Sequence, residues 1–413
     1  MISFDKFTLK NGLRVIFHQD KNTPIAALNV LYDVGARDED PERTGFAHLF
    51  EHLMFGGSEN IPSYDEPLQQ AGGENNAFTS NDLTNYYQTL PVQNIETAFW
   101  LESDRMLNLA FTPKSLEVQR QVVIEEFKQR YLNQPYGDVW LDLRPLAYKT
   151  HPYRWPTIGK EIKHIEEAVM DDVKDFFNRF YKPNNAILCV AGNLELKAVK
   201  DLCEKWFAPI PSGKIPKRKL PKELVQKEYR RLEVERDVPQ DAIYMTFHMC
   251  DRRNDQYYAT DLISDILSGG KSGRLYQSLV KDKEIFTELD AFISGDQDAG
   301  LFIIQGKFPE KYSHEQAEKF IWDELKAFKK SKISSDDLSK VKHKIEAALR
   351  FGEESILNKA MALCMAELIE DAELVNTEFA KIEAVTDLDI LNAAKKIFTV
   401  KNCSSLFYKK KSS

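Results

Sequence analysis

Only five cysteines occur in the 413 residues (Cys189, Cys203, Cys250, Cys364 and Cys403), and none stands in a CxxC pair. An odd, scattered set excludes a disulfide framework and a thiolate zinc site, and suits buried thiols in a reducing compartment. Long apolar runs are missing too, so no segment reaches the length of a membrane span. The opening stretch MISFDKFTLKNGLRVIF alternates polar and apolar residues and lacks the unbroken apolar core of a secretory signal. It reads as a first strand inside the fold, with a cytoplasmic location expected, or a periplasmic one if a leader has been removed. Positive charge is not in excess either: the formal net charge of −8 argues against a nucleic-acid surface. Histidine is scarce, at 8 residues.

What is present is the make-up of a globular protein, 43% hydrophobic and 29% charged, with too many residues for one core. Composition shifts sharply at PIPSGKIPKRKLPKELVQ, Pro209–Gln226, where four prolines, a glycine and several lysines have the chemistry of a linker. The expected division is a first domain at 1–210, a linker at 211–226 and a second domain at 227–413. AALNVLYDVGA and AILCVAGNL read as buried strands in the first half, DAIYMTFHMC and GLFIIQGKF in the second. Helical spacing marks IETAFWLESDRMLNL, SLEVQRQVVIEEFKQRYL, AVMDDVKDFFNRFY, KFIWDELKAFKK and DLSKVKHKIEAALRF. Strands and helices in both halves give an α+β fold.

The halves also show a trace of duplication. Aligning Gly56-Gly57 with Gly269-Gly270 superposes HLFEHLMFGG on DLISDILSGG. His48 then falls on Asp261, Glu51 on Ser264 and His52 on Asp265, which confines the chemistry to the first half.

That chemistry lies in TGFAHLFEHLMFGG, Thr44–Gly57. Thr44-Gly45 starts a helix on which His48 and His52, four positions apart, share a face, with Glu51 beside them. The flanking Phe46, Ala47, Leu49, Phe50, Leu53, Met54 and Phe55 make the helix apolar nearly all round, so it is buried. Buried imidazoles beside a carboxylate need a partner, and a metal supplies one. H-x-x-E-H is the reverse of the zincin H-E-x-x-H. Catalytic zinc takes three protein ligands and leaves a fourth position for water, so a third ligand is required. SLEVQRQVVIEEFKQRY offers Glu117, Glu125 and Glu126 on a helix whose apolar stripe runs through Leu116, Val123, Phe127 and Tyr131. Glu126 lies beside that stripe and Glu125 opposite it. Gln119, on the same face as Glu126, is placed to hydrogen-bond a ligand from behind.

With these residues assembled, the chain resembles the insulinase (pitrilysin) family of zinc peptidases, which includes the mitochondrial processing peptidases and their single-chain bacterial counterparts. The family pairs H-x-x-E-H with a glutamate well downstream, and Glu126 follows His52 by 74 residues. The likeness extends to GGENNAFTSNDLTNYYQTLP, Gly72–Pro91, which looks like the family's substrate-binding edge strand. The resemblance implies two homologous α/β domains, each a largely antiparallel sheet packed with helices, forming half of a clam-like chamber. It implies one Zn2+ per chain on His48, His52 and Glu126, with Glu51 as general base. It also implies that Asn76, Ala77 and Phe78 bind an extended peptide by strand addition.

One part of the family pattern is altered. Many members carry an arginine and, seven residues on, a tyrosine that help bind substrate; here Val280 and Thr287 occupy those places in SGRLYQSLVKDKEIFTELDAF. Arg274 and Tyr276 belong to an earlier, structural part of that pattern. The expectation is therefore a dimer, with a homologous partner subunit supplying the arginine–tyrosine pair. The competing functions are a non-catalytic structural or partner subunit on the same fold and a metal-dependent hydrolase of small molecules. The edge strand, suited to peptide backbones, disfavours the second of these. PKRKLPKELVQK reads as linker rather than nucleic-acid contact, and YKKKSS as a solvated tail. His151, His164, His248, His314 and His343 lack ligand spacing and read as structural or exposed.

Overall fold

The opening segment is two strands rather than one. Residues 10–12 turn the chain, with the Leu13 N–H donating to Asn11 Oδ1 (3.2 Å), and β1 (Asp5–Thr8) folds back antiparallel on β2 (Arg14–Gln19). The computed structural model describes residues 1–411. With β3 (Ile25–Tyr32), β4 (Glu74–Thr79), β5 (Thr84–Pro91) and β6 (Ala186–Gly192) the pair builds a sheet in the order β1-β2-β6-β3-β5-β4. A second sheet takes β7 (Arg230–Arg236), β8 (Asp241–His248), β9 (Glu288–Ile293), β10 (Leu301–Phe308) and β11 (Cys403–Lys410) in the order β7-β11-β8-β10-β9.

The two sheets repeat one topology. β2–β6 and β7–β11 are parallel, and every other pair in the shared order is antiparallel. A helix follows the equivalent strand in each, and Gly57 and Gly270, matched in the sequence alignment, both adopt positive φ, 92° and 87°. Mixed, largely antiparallel sheets packed with helices are the expected fold class.

Among the helices that cover the sheets and build the site are α1 (Phe46–Leu53), α2 (Pro113–Phe127), α3 (Val139–Ala147), α4 (Met170–Phe180), α5 (Tyr257–Ser268), α6 (His314–Lys330), α7 (Ile356–Ile369) and α8 (Asp387–Ile397). The chain forms two compact units. It passes between them inside the linker, at Leu220–Pro221, but the units are not contiguous in sequence: 130–154 joins the second and 349–377 the first. Both segments depart from the linear division at 1–210 and 227–413, and burial explains each. Ala360, Leu363, Cys364 and Leu368 of α7 pack on Ile16, Ala27, Leu31, Ile187 and Cys189, closing one apolar face of the first sheet. Small residues let the helix approach closely, with Cys364 Sγ 3.8 Å from the Ile187 carbonyl. Reciprocally, Val139 and Leu143 of α3 cover Ala242, Tyr244, Leu406 and Tyr408 of the second sheet, whose other face packs on α5, α6 and α8. Each sheet thus borrows a helix from the other half of the sequence.

The expected solvated tail is corrected as well. Tyr408–Lys410 complete β11, with Tyr408 buried and its hydroxyl donating to Asp138 Oδ1 (2.5 Å), because this strand lies between β7 and β8. Ser412 and Ser413 lie outside the described residues. In the basic linker run, Arg218 Nε and Nη1 bind Asp38 and Asp33 (2.6 and 2.7 Å), so the guanidinium is occupied within the protein. Among the described residues no helix is long and apolar enough to cross a membrane.

Leu363, on the face of α7 turned to the first sheet, is wholly buried. Leu363→Ala is expected to cost roughly 2–5 kcal/mol, read as a lowered urea midpoint for loss of the first sheet's signal.

Candidate metal centre

Eight residues of α1 divide by phase. Phe46, Ala47, Leu49, Phe50 and Leu53 are buried, with the Phe50 ring against Phe176, Phe177 and Tyr181. His48, Glu51 and His52, at i, i+3 and i+4, occupy the remaining, half-buried face. The helix starts at Gly45, whose φ of 90° is the left-handed conformation; a Cβ there would lie 2.6 Å from the Ile158 carbonyl oxygen.

The third donor comes from α2, which packs against α1. Thr112 caps α2, its hydroxyl accepting from the Ser115 N–H (3.0 Å). Leu116, Val123, Ile124 and Phe127 are its buried residues. Glu126 sits 3.6 Å from His48 Nε2 and 3.3 Å from His52 Nε2 through Oε2. Glu125 points away, 57% exposed and paired with Lys128 at 2.7 Å, and Glu117 is exposed beside Arg120. Gln119 lies half-buried on α2, and its amide has no hydrogen-bond partner among the described residues. Directly after Glu126 the helix widens into a π-turn at Lys128–Leu132, a deviation often found beside functional residues.

The three side chains fit a zinc ion. One ligand atom from each lies within 4.8 Å of the other two. Zinc–ligand bonds of about 2.0–2.2 Å in a tetrahedron place ligand atoms about 3.4 Å apart, and the two histidine–carboxylate separations bracket that value. The imidazole rings are nearly perpendicular, at 88° with centroids 4.8 Å apart. Exposures of 12%, 24% and 17% for His48, His52 and Glu126 leave the group accessible from one side. No other cluster of three His, Cys, Asp or Glu side chains could hold a metal among the described residues.

Glu51 completes the constellation without joining the donor cluster. Its Oε2 accepts a hydrogen bond from the Thr79 hydroxyl at 2.6 Å. Thr79 ends β4, the edge strand of the first sheet, so Asn76, Ala77 and Phe78 lie on a sheet edge adjacent to α1. Asn76 Oδ1 accepts from the Ala77 N–H (2.8 Å). Beneath Glu51, the Tyr86 and Tyr181 hydroxyls lie 3.3 Å apart. Burial above all, with the Glu51 charge a lesser cause, pushes both phenols upward, so they stay protonated.

Residues 14–158 match the family model described as insulinase (peptidase family M16), and residues 168–345 that described as the peptidase M16 inactive domain. All four residues of the H-x-x-E-H…E constellation fall in the first match. The zinc protease PqqE of Helicobacter pylori is 30% identical over 344 residues, covering 82% of this chain and 77% of that protein. The uncharacterized zinc protease YmxG of Bacillus subtilis is 26% identical over 398 residues, 95% of each chain. Among solved structures, a protease from Helicobacter pylori superposes with a TM-score of 0.94 at 27% identity, covering 99% of this chain and 100% of the other. The periplasmic protease PqqL of Escherichia coli gives 0.78 at 17% identity, covering 98% of this chain and 47% of its own.

The supports of α1 lie outside the motif, and sequence reading missed them. Glu39, buried, accepts from the first turn of α1: Gly45 N–H to Oε2 (2.9 Å) and Ala47 N–H to Oε1 (2.8 Å). Trp155 Nε1–H adds a third donor (3.1 Å). His164 Nδ1 accepts from the Thr44 N–H (3.0 Å), which makes this histidine structural, as its spacing suggested. At the other end Arg105, buried against Glu102, reaches the Met54 carbonyl at 3.4 Å. An acid five residues before Thr44 was the only available signal for Glu39, and nothing local marked Arg105.

Burial outweighs the three donors at Glu39 and pushes its carboxyl from 4.5 up to about 8. The folded state therefore favours the protonated form. The resulting stabilisation is complete below the unfolded carboxyl value and is lost as pH rises through about 8. Urea midpoints measured between about pH 5 and pH 8.5 are expected to fall with a component that Glu39→Gln removes, flattening the slope.

Proposed function

The chain belongs to the insulinase family, peptidase family M16, and from that premise we propose that it is a zinc metalloendopeptidase hydrolysing short or unfolded peptides. The single observation that carries this is the meeting of His48, His52 and Glu126 from two helices, with Glu51 on the same face of α1. His48, His52 and Glu126 would hold the ion. Bound there, zinc supplies a Lewis acid and draws the pKa of a coordinated water towards ~7. Glu51 takes the proton of the attacking water and returns it to the leaving amine. The edge of β4 gives an extended peptide backbone hydrogen bonds through Asn76, Ala77 and Phe78, with little demand on sequence. Folded proteins present few free extended segments, which sets the substrate class.

The purified chain is expected to carry one zinc and to lose it on Glu126→Gln but not on Glu125→Gln. Glu51→Gln is expected to keep the metal while cleavage of a long unstructured peptide falls about 10²–10⁴-fold. Wild-type cleavage by Glu51→Gln, or by the metal-free chain, overturns the reading.

We further propose that the active assembly is a dimer with a homologous subunit. Val280 packs against the core of the second unit, and the Thr287 hydroxyl donates to Gln240 Oε1 (2.9 Å), so neither supplies the guanidinium or phenol of the family pattern. Arg274 is engaged with Ser331 (3.0 Å) and stacked over Phe328, a structural use. This chain matches 92% of the solved first half of PqqL but 47% of the longer PqqL chain, in keeping with a second half supplied in trans. Native co-purification with a homologue that raises cleavage per zinc is the expected result. Full activity of the isolated monomer would refute it.

A further inference from the structure

We infer that Thr79 is a positioning residue that couples the β4 edge to the catalytic carboxylate of Glu51, an inference that rests on the peptidase reading above. Thr79 is the last residue of β4, paired with Thr84 of β5, so its backbone belongs to the strand that would receive substrate. Its side chain leaves on the same side of the strand as Ala77 and donates its hydroxyl proton to Glu51 Oε2 at 2.6 Å. Hydrogen bonds to a charged acceptor are short and strong, and this one joins two half-buried groups. A threonine hydroxyl on a β-branched carbon has few rotamers, so fixing the strand fixes the hydroxyl and, through it, the carboxylate. A peptide that orders the β4 edge therefore also sets the orientation of the base. Among the hydrogen bonds described for Glu51, this one comes from a residue outside the H-x-x-E-H motif.

The test compares Thr79→Val, Thr79→Ala and Thr79→Ser in the zinc-loaded full-length chain with a quenched unstructured peptide. Thr79→Val and Thr79→Ala are expected to lower kcat about ten- to hundred-fold, with KM and bound zinc unchanged, and Thr79→Ser, which keeps the hydroxyl without the methyl that restrains it, to recover most of the loss. If the valine variant fails to fold, the alanine variant carries the comparison. Unchanged kcat in valine and alanine variants overturns the inference, as does a rise in KM alone, which would make Thr79 a substrate contact only. Loss of zinc, or a serine variant as slow as the alanine variant, also overturns it. No cleavage by the wild-type chain would instead remove the peptidase reading beneath it.

Discussion

An eight-residue helix carrying two candidate metal-donor histidines and a carboxylate has to be held still, and α1 is held at both ends by buried polar side chains. Glu39 meets the N–H groups of its first turn, and Arg105 reaches the carbonyl at its last. The Arg105 guanidinium opposes the negative charge that the aligned peptide dipoles accumulate at the C-terminal end, while Glu39 accepts from N–H groups that have no partner within the helix. Arg105 is itself fixed between Glu102 and the rings of Tyr64 and Tyr86. A helix this short gains little from its own hydrogen bonds. Its position comes from these two anchors and from the Phe50 contacts with α4 and Tyr181. The donor separations near Glu126 follow from that restraint.

The second unit shows the same scaffold with different chemistry. α5 follows β8 as α1 follows β3, and Asp261 and Asp265 occupy the positions of the two histidines. Burial, then the charge of Asp265, pushes the Asp261 carboxyl up to about 6, while Asp265 lies 3.8 Å from Lys344. Two hard carboxylates and a lysine replace two imidazoles and a carboxylate, and no metal-competent cluster forms there among the described residues. The strand order and the glycine turn after the helix are the same in both units. The side chains at the candidate metal positions differ.

What could be read from the sequence follows from range. The histidine pair is local, four positions on one helix, and its apolar setting was visible in the neighbouring letters. Choosing Glu126 over Glu125 needed only helical phase, since Val123 and Phe127 mark the inward side; the structure sets Glu126 beside the histidines and Glu125 in solvent. The strand order was inaccessible, although four of the eleven strands among the described residues were recognisable as apolar runs. Trp155 and Arg105 were not legible because each acts across a long sequence separation, and Glu39, though only six and eight residues from its targets, binds backbone N–H groups that carry no signature. Gln119 shows the opposite failure: correct phase placed it near the ligand helix's inner face, but phase cannot say whether an amide finds a partner. The β11 tail was misread because the lysines after Tyr408 looked like a solvated end, whereas the strand's buried residues run up to Tyr408 itself.

The reciprocal loan of α3 and α7 reaches beyond architecture. During synthesis the Ile16–Ala27–Leu31 face of the first sheet emerges from the ribosome long before the helix that closes it, leaving a bare apolar surface for most of translation. A polypeptide ending at the linker would hold every proposed metal donor and still be unable to bury that surface. The proposed donors are thus encoded in the first half of the chain while the sheet beside them is completed by the second, and a face left bare in this way is open to aggregation until that half emerges.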